Sequence, residues 1–247
     1  MNDVDALATG HWQWNGWLTP KGRVIALFAL LRLDDERLRL LLLDADAEAF
    51  AARLRGFVFR SKVTLAVQQA LPVSGAFAAP ADANGSRFAT DGDAIELDWS
   101  GDGAPRRLRI GGGAAGTDAT QAARWRACDL AHGLPRLDPS QAELWTPQQL
   151  SLERLRAYSV KKGCYPGQEI VARTHFLGQA KRGLARLSTA QPAVPGAEVV
   201  LETGSGRVVA AEGAEALAVL PLDPPPALPR LGDAPAQPLP LLDGLAR

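Results

Sequence analysis

The chain has 247 residues, in which 27 Lys and Arg are balanced by 27 Asp and Glu, and 47% of the residues are hydrophobic. This balance is typical of a soluble globular protein and argues against a general nucleic-acid or membrane-surface binder. No apolar run reaches the ~18 residues that a membrane span needs. The length predicts one or two domains whose core needs no disulfide or structural metal.

The cysteine content and the start of the chain predict the cellular compartment of the protein. The chain has two cysteines, and its start, MNDVDALATGHW, lacks the basic and apolar regions of a secretory signal. The acidic residues there and the lack of arginine argue against a mitochondrial transit peptide. We therefore expect a cytoplasmic protein in a reducing environment.

The first half of the chain predicts an α+β arrangement. DADAEAFAARLRG at 44–56 has helical spacing of its apolar residues and ends in a glycine suited to a C-cap. The run at 23–33 predicts a strand buried on both faces, because its apolar residues are nearly continuous. The predicted strands are RVIALFALLRL at 23–33, RLRLLLLD at 37–44, SKVTLAV at 61–67, and the hairpin of AIELDW at 94–99 with RRLRIGG at 106–112.

The second half predicts two helices followed by short strands. The first helix lies in 118–135, with Cys128 as a packing residue, and the second lies in 147–160. Four strand-like pieces between glycine turns then predict a small antiparallel barrel or sandwich. Eight prolines at 221–240 predict an extended tail. The predicted division is an α+β region at 1–182, a small β-barrel at 183–220 and a proline-rich tail at 221–247.

The stretch KKGCYPGQE at 161–169 places a cysteine among lysines and glycines. Proline favours the first helical position, so a helix is predicted to begin at Pro166, just after Cys164. Residues 161–186 contain six Lys or Arg against Glu169 alone. A helix N-terminus and neighbouring cations both stabilise a thiolate. A turn with a solvated basic face explains this pattern about as well as an anion-binding site with a reactive thiol, and both interpretations stay open.

Other site types have less support. Catalysis by a Cys–His pair needs a base, and the only histidines are His11, His132 and His175. A pairing of His175 with Cys164 across one helix is the weaker alternative. The chain has no CxxC or HxxxH spacing, so no metal ligand is predicted with certainty, and it has no glycine-rich nucleotide motif.

The segment Lys162–Glu169 resembles the signature K-G-C-Y-x-G-Q-E of the YgfZ family. These proteins are folate-binding relatives of the glycine-cleavage T-protein and support iron–sulfur cluster assembly or repair. The resemblance covers roughly residues 15–220. The flanking segments that match are IVARTHFLGQAKRGL at 170–184, HGLPRL at 132–137 and NGWLTPKGRVIA at 15–26.

The resemblance implies a T-protein-like α+β body, ring-like around a central hole with a folate site, and a small C-terminal antiparallel β-barrel. It implies tetrahydrofolate as the cofactor, a transient iron–sulfur contact, and iron–sulfur client proteins or assembly factors as partners of an expected monomer. Cys164 and Lys162 would act together, with the ammonium stabilising the thiolate or binding an anion. The other residues of the signature loop are Gly163, Tyr165, Gly167, Gln168 and Glu169.

The cofactor suggests further binding residues. The acidic glutamate tail of tetrahydrofolate would suit the basic side chains of Arg173, Lys181 and Arg182. Trp14 would stack on the pterin ring, although the alternation of residues 12–14 fits a strand with one buried face better.

The chain also departs from the family. Family members begin with a further strand and helix, of which MNDV at 1–4 resembles only the tail, so the chain is expected to be shortened there. Ser151 replaces an expected asparagine. Ala26 and Leu27 stand where the T-protein relatives carry the acid used in aminomethyl transfer. The predicted function is therefore an accessory factor for iron–sulfur proteins, and the alternatives are a folate-dependent one-carbon transferase and a non-catalytic interaction module.

Overall fold

The computed structural model describes residues 1–60, 62–113, 116–178, 180–223 and 227–247. The helices are α1 (Ala47–Arg55), α2 (Ala119–Ala131) and α3 (Gln168–Phe176), with a short 3₁₀ helix at Pro139–Gln141. The strands of the first two sheets are β1 (Trp12–Leu18), β2 (Val24–Arg32), β3 (Leu38–Leu42), β4 (Val73–Ala76), β5 (Ala89–Asp91), β6 (Ala94–Asp98) and β7 (Arg107–Ile110). The strands of the third sheet are β8 (Arg182–Ser188), β9 (Glu198–Val200), β10 (Ser205–Glu212), β11 (Glu215–Pro221), β12 (Arg230–Leu231), β13 (Ala234–Pro235) and β14 (Gln237–Leu239).

The first sheet has the order β1-β2-β3 and is antiparallel. Its central strand, β2, is mostly buried, as the continuous apolar run predicts. One face packs into the main core, and the other packs into a smaller cluster with Leu7 and Phe50. The predicted helix follows as α1, and Asp46 caps it by accepting a hydrogen bond from Ala49 N at 2.7 Å.

A cluster of three tryptophans joins the first sheet to the second, which has the order β4-β7-β6-β5 and contains the predicted hairpin of β6 and β7. Trp99, directly after β6, stacks on Trp12 with ring centroids 5.3 Å apart, and Trp14 meets Trp99 edge-on at 4.8 Å. All three indoles are at most 1% exposed. The two sheets therefore share one hydrophobic core.

The helix α2 carries a buried carboxylate that holds two arginines. Asp129 Oδ1 lies 2.6 Å from Arg106 Nη1, and Asp129 Oδ2 lies 3.1 Å from Arg136 Nη1. Arg136 also pairs with Asp44 at 2.9 Å. Because buried charges are tolerated only when they are paired and hydrogen-bonded, this network ties α2 to the chain before β7 and after β3.

The third sheet confirms the predicted small C-terminal antiparallel barrel. Its order is β13-β12-β9-β10-β11-β8-β14. The two edge strands are separated in sequence only by Ala236, whose side chain is 0% exposed. One short segment thus forms both edges and brings the sheet close to closure, which protects strand edges from other chains.

The strands at 230–239 belong to this barrel and Leu245 packs in the main core, so the expectation of an extended tail was wrong. Residues 224–226 lie outside the described residues, but β12 pairs with β9 and β14 pairs with β8. Leu245 is 1% exposed, and its carbonyl accepts a hydrogen bond from Trp14 Nε1 at 2.8 Å. Pro235 and Pro238 are tolerated because they lie in the edge strands.

The predicted strand at 61–67 is not found. Ser61 lies outside the described residues, and 62–67 has no regular structure, with Val63 54% exposed. The edge of the second sheet is formed instead by β4, which pairs with β7. A β-prone run needs a partner strand, and among the described residues this run has none.

The predicted helix at 147–160 is a series of turns. Ser151 and Arg156 have φ values of 48° and 55°, which an α-helix does not allow. The buried apolar residues there are Leu150, Leu152, Leu155 and Ala157. This spacing does not fit one face of a helix, so turns are needed to bury all four side chains. The helix predicted to begin at Pro166 does form, but it begins at Gln168 as α3.

Candidate functional site

The cysteine loop lies between the turns at 147–160 and the N-terminus of α3. Gly167 is the N-cap of α3 and has φ 79°, a left-handed conformation that favours glycine. Gln168 N donates to Tyr165 O at 3.1 Å, so the loop folds back immediately before the helix. Cys164 therefore precedes a helix N-terminus, as the sequence predicts.

The loop packs against the turn that precedes β2. A Cβ atom at Gly167 would lie 2.6 Å from both Gly22 Cα and Thr19 O, which leaves no room for a side chain. Gly22 has φ 70°, and a Cβ there would lie 2.9 Å from Ile170 Cβ. Glycine is needed at both positions for conformation and for space. By contrast, a Cβ at Gly163 meets nothing within 4 Å.

Hydrogen bonds that involve the side chains of Ser159, Tyr165 and Gln168 fix the backbone of the loop. Ser159 Oγ accepts from the backbone N–H groups of Lys161 and Lys162, each at 3.2 Å. Tyr165 Oη donates to Ser159 O at 3.2 Å, and burial raises the pKa of this phenol. Gln168 Nε2 donates to Lys162 O at 3.2 Å. The loop is thus ordered by its own side chains.

The two lysines of the loop differ in their surroundings. Lys161 is exposed, whereas Lys162 is half-buried. Lys162 Nζ donates to Asn2 O at 3.0 Å and lies 5.9 Å from the centroid of the Tyr165 ring. Among the described residues, Lys162 Nζ makes no hydrogen bond to Cys164. The ammonium anchors the loop to the start of the chain.

The thiol of Cys164 is free and exposed, and Glu169 is exposed in the first turn of α3. The other cysteine, Cys128, is half-buried on α2, and burial raises its pKa. Its Sγ lies 3.8 Å from His132 Nδ1, which also bonds Cys128 O at 2.7 Å. Of the two cysteines, Cys164 is the more exposed to solvent.

A cleft of about 560 Å³ lies beside the loop, between the turns at 147–160, the C-terminal half of α3 and the start of β8. Of the predicted basic residues, Arg182 lines it, and Arg182 Nη1 donates to Ser205 O at 2.7 Å. Arg173 and Lys181 are exposed but are not in its wall, and neither is Cys164. The other ionisable residues of the wall are Glu153, Arg156 and His175.

No family model matches the sequence. The structure is similar to the crystal structure of the glycine cleavage system aminomethyltransferase T from Bartonella henselae, with a TM-score of 0.61. The similarity covers 97% of this chain and 76% of that chain, at 14% sequence identity. The fold is T-protein-like. At this identity the similarity establishes the fold alone.

In this T-protein-like fold, Trp14 is not available to a ligand. Its side chain is 0% exposed between Trp12 and Trp99, and its Nε1 donates to Leu245 O. The prediction that Trp14 stacks on a pterin ring was therefore wrong. The alternation of tryptophan and glutamine at 12–14 reflects a strand with one buried face, which is the interpretation that the sequence also favoured.

The T-protein-like fold shows two further properties among the described residues. No helix there is long and apolar enough to cross a membrane. No group of three or more His, Cys, Asp or Glu side chains in those ranges is placed to hold a metal ion.

Sequence reasoning missed three residues near the loop. Gly22 and Ser159 contact the loop directly, but both are ordinary turn residues in the sequence, and only their position in space reveals their role. Glu153 lies in a segment that the sequence predicts as helix. Tyr158 Oη donates to Glu153 Oε2 at 3.4 Å, and burial raises the pKa of both groups.

Proposed function

We propose that this protein is a folate-binding accessory factor for iron–sulfur cluster assembly or repair, in which Cys164 is the reacting thiol. The observation that carries the proposal is the exposed, free thiol on a loop held by the Gly22–Gly167 contact and by Ser159. A cysteine kept for packing lies among apolar neighbours, whereas this one faces solvent in a cationic loop. The match of Lys162–Glu169 to the YgfZ signature supports the same role.

The thiolate of Cys164 would contact an iron–sulfur cluster, a sulfur species or an oxidised intermediate of a client protein. Lys162 would act mainly as a positioning residue, because its ammonium is bound to Asn2 O. Tyr165 and Gln168 hold the same loop through Ser159 O and Lys162 O. A preorganised loop presents the sulfur to a partner without the entropy cost of ordering it first.

A reduced folate as cofactor is supported by the T-protein-like fold and by the cleft beside the loop. A volume of about 560 Å³ lies within the range of small-molecule sites, which is ~300–1,000 Å³. Arg182 and Arg156 in its wall suit the carboxylates of the folate tail. Bound tetrahydrofolate would supply a carrier for one-carbon units.

The proposed role of the thiol is tested by complementation of a strain that lacks its YgfZ-family protein. Wild type and Cys128→Ala should restore the activity of an iron–sulfur enzyme, whereas Cys164→Ala and Cys164→Ser should restore little. Enzyme activity is normalised to the level of the complementing protein, so that loss of folding is not counted as loss of chemistry. Full restoration by Cys164→Ala would reject the reacting thiol and favour the interaction module, because a docking loop needs shape rather than a thiolate.

An aminomethyltransferase is less well supported. Ala26 and Leu27, at 2% and 4% exposure, place apolar side chains where the acid of the T-protein relatives was expected. The nearby carboxylates are engaged, since Asp44 pairs with Arg136 and Asp46 caps α1. Purified protein that turned over a folate-bound carbon would reverse this ranking.

The partners and the compartment are part of the same proposal. We propose that iron–sulfur client proteins or assembly factors meet the exposed Cys164 loop, and that the protein acts as a monomer in the cytoplasm. The free state of Cys164 and Cys128 suits a reducing compartment. Sedimentation velocity at micromolar concentration tests the monomer, and fractionation of cells tests the compartment.

A further inference from the structure

The outward side of α3 carries large apolar side chains. Ile170, Phe176 and Leu177 are 39%, 66% and 85% exposed, and Val171 is the one residue that α3 buries. The N–H of Leu177 donates to Arg173 O at 2.9 Å, so Leu177 continues the helical spacing. Ile170 and Leu177 are two helical turns apart and therefore lie on the same side, with Phe176 next to Leu177. A helix of a globular protein normally turns its apolar side toward the core, whereas α3 turns these three side chains toward solvent.

Leu222 extends this apolar surface beyond the end of the helix. It is 56% exposed, and its N–H donates to Lys181 O at 3.1 Å, so it lies beside the chain that leaves α3. Exposed apolar side chains that are grouped together and rimmed by polar residues mark protein interaction sites. The α3 surface is defined here as the group of Ile170, Arg173, Phe176, Leu177 and Leu222.

The α3 surface lies in the most cationic part of the chain. Residues 161–186 contain six Lys or Arg against Glu169 alone, although the net charge of the whole chain is zero. Lys161, Arg173 and Lys181 are exposed, and none of the three lines the cleft. A complementary partner surface is acidic, with apolar side chains at its centre. A second copy of this chain would bring cations against cations, so this face disfavours self-association.

One docked protein can cover the thiol and the α3 surface together. Cys164 precedes the first residue of α3 by four positions, and nine helical residues span about 14 Å. An interface of standard size covers ~800 Å² on each partner, which is roughly 30 Å across. An anionic bilayer would also match the charge, but it offers no cluster or sulfur species to a thiol. The protein partner is therefore the better match.

We propose that the α3 surface docks the iron–sulfur partner of Cys164 through an acidic face of that partner with apolar side chains at its centre. The inference rests on the proposed function and deepens it, because it gives the chemistry of the partner and separates the residues that bind it from the thiol that reacts. Phe176 and Leu177 are the apolar anchors, and Arg173 supplies charge between the turns that carry them. Arg173 and Lys181 thus face a protein rather than the folate tail.

The probe for binding is the purified iron–sulfur enzyme whose activity wild type restores in complementation. In calorimetry, Leu177→Ser and Arg173→Glu should each weaken binding about tenfold or more, because anchors at the centre of an interface dominate its affinity. Added salt should weaken the binding of wild type. The matched controls are Val194→Ser, 63% exposed beyond the far end of β8, and Arg207→Glu, exposed on β10. The alkylation rate of Cys164 should be unchanged in Leu177→Ser, so that lost binding is not a lost thiol.

A photo-crosslinker separates the surface from the thiol. Leu177→p-benzoylphenylalanine in a Cys164→Ala background should link to the same enzyme on irradiation in cells, because docking needs no thiolate. Val194→p-benzoylphenylalanine in that background is the control and should give no adduct with it. A crosslink at position 177 together with full restoration by Cys164→Ala would reject the reacting thiol and support the surface.

The remaining outcomes go against the α3 surface. Wild-type affinity in both Leu177→Ser and Arg173→Glu, or equal adducts at positions 177 and 194, would overturn the surface and leave the proposed function standing. Binding to phosphatidylglycerol vesicles that Leu177→Ser abolishes would assign the surface to a membrane and overturn the protein partner. If wild type restored no iron–sulfur enzyme, the proposed function and the docking surface would both be rejected.

Discussion

Gly167 and Gly22 pack backbone against backbone, so that a Cβ at Gly167 would lie 2.6 Å from Gly22 Cα. Gly22 belongs to the turn before β2, and Gly167 is the N-cap of α3. The contact joins two segments that are far apart in sequence. It places the cysteine loop against the first sheet.

Gly167→Ala should disrupt this contact. The added Cβ would overlap backbone atoms that cannot move aside, at a residue whose φ is 79°. We expect a loss of ~2–4 kcal/mol in the free energy of unfolding, within the range of severe single substitutions. Urea unfolding measures it. Gly163→Ala in the same loop is the matched control, because a Cβ there meets nothing within 4 Å. An equal loss in both variants would contradict the role of the glycine contact.

Ser159→Ala should loosen the cysteine loop. The substitution removes the acceptor of the Lys161 and Lys162 N–H groups, and one such bond contributes ~1 kcal/mol. We expect faster amide hydrogen exchange at 161–165 with little change elsewhere. Ser159→Thr keeps the hydroxyl and should exchange like wild type. Unchanged exchange in Ser159→Ala would show that the loop is held without this side chain.

Lys162 and Lys161 should differ in importance. Lys162→Ala removes the bond from Nζ to Asn2 O, whereas Lys161 is an exposed residue whose side chain makes no described hydrogen bond. We expect Lys162→Ala to impair support of iron–sulfur enzymes nearly as much as Cys164→Ala, and Lys161→Ala to cost little. Complementation normalised to protein level measures both. Equal effects would indicate a diffuse basic patch.

Leu245→Ala should destabilise the whole protein. Leu245 is 1% exposed in the main core, and truncating a buried leucine costs ~2–5 kcal/mol. Leu228→Ala lies in the same C-terminal segment but at 44% exposure, so it should cost less than ~1 kcal/mol. Thermal unfolding of Leu245→Ala and Leu228→Ala compares their loss of stability. Equal stability would mean that the C-terminal segment is not part of the core.

Glu96 should make stability depend on pH. Burial raises the pKa of Glu96, but hydrogen bonds from Ala81 N, Asp82 N and Ala83 N, together with Arg107, lower it more, so the net pKa lies below its usual value. The carboxylate therefore contributes stability that is present above the unfolded pKa of ~4.3 and lost as pH falls through the folded pKa.

Glu96→Gln tests this dependence. At pH 7 the variant should be less stable by ~1–3 kcal/mol, because a charged acceptor becomes neutral, and the difference should shrink as pH falls below ~4.3 and through the lowered folded pKa of Glu96. Urea unfolding across this range gives the values. Glu198→Gln is the control, because Glu198 is exposed on β9. A difference that stays constant with pH would reject the carboxylate as its source.

Much of the fold was predictable because it follows local patterns. The apolar run of β2, the hairpin of β6 and β7, and the capped helices α1 and α2 all carry periodicity that a short window of sequence contains. The predicted helix at 147–160 failed because its buried side chains point inward from successive turns. The prolines at 221–240 suggested an extension because their pairing partners, β8 and β9, are distant in sequence.

The sequence by itself determined the type of most elements and the position of Cys164 before a helix, because capping, periodicity and the signature loop are local properties. Only the tertiary structure decided which of these residues meet. The Gly22–Gly167 contact, the hydrogen bond from Trp14 to Leu245 O, and the grouping of Arg156, His175 and Arg182 around one cleft depend on chain segments brought together by the core. Such long-range contacts leave no periodic signal in the sequence, since burial in a shared core rather than local propensity creates them.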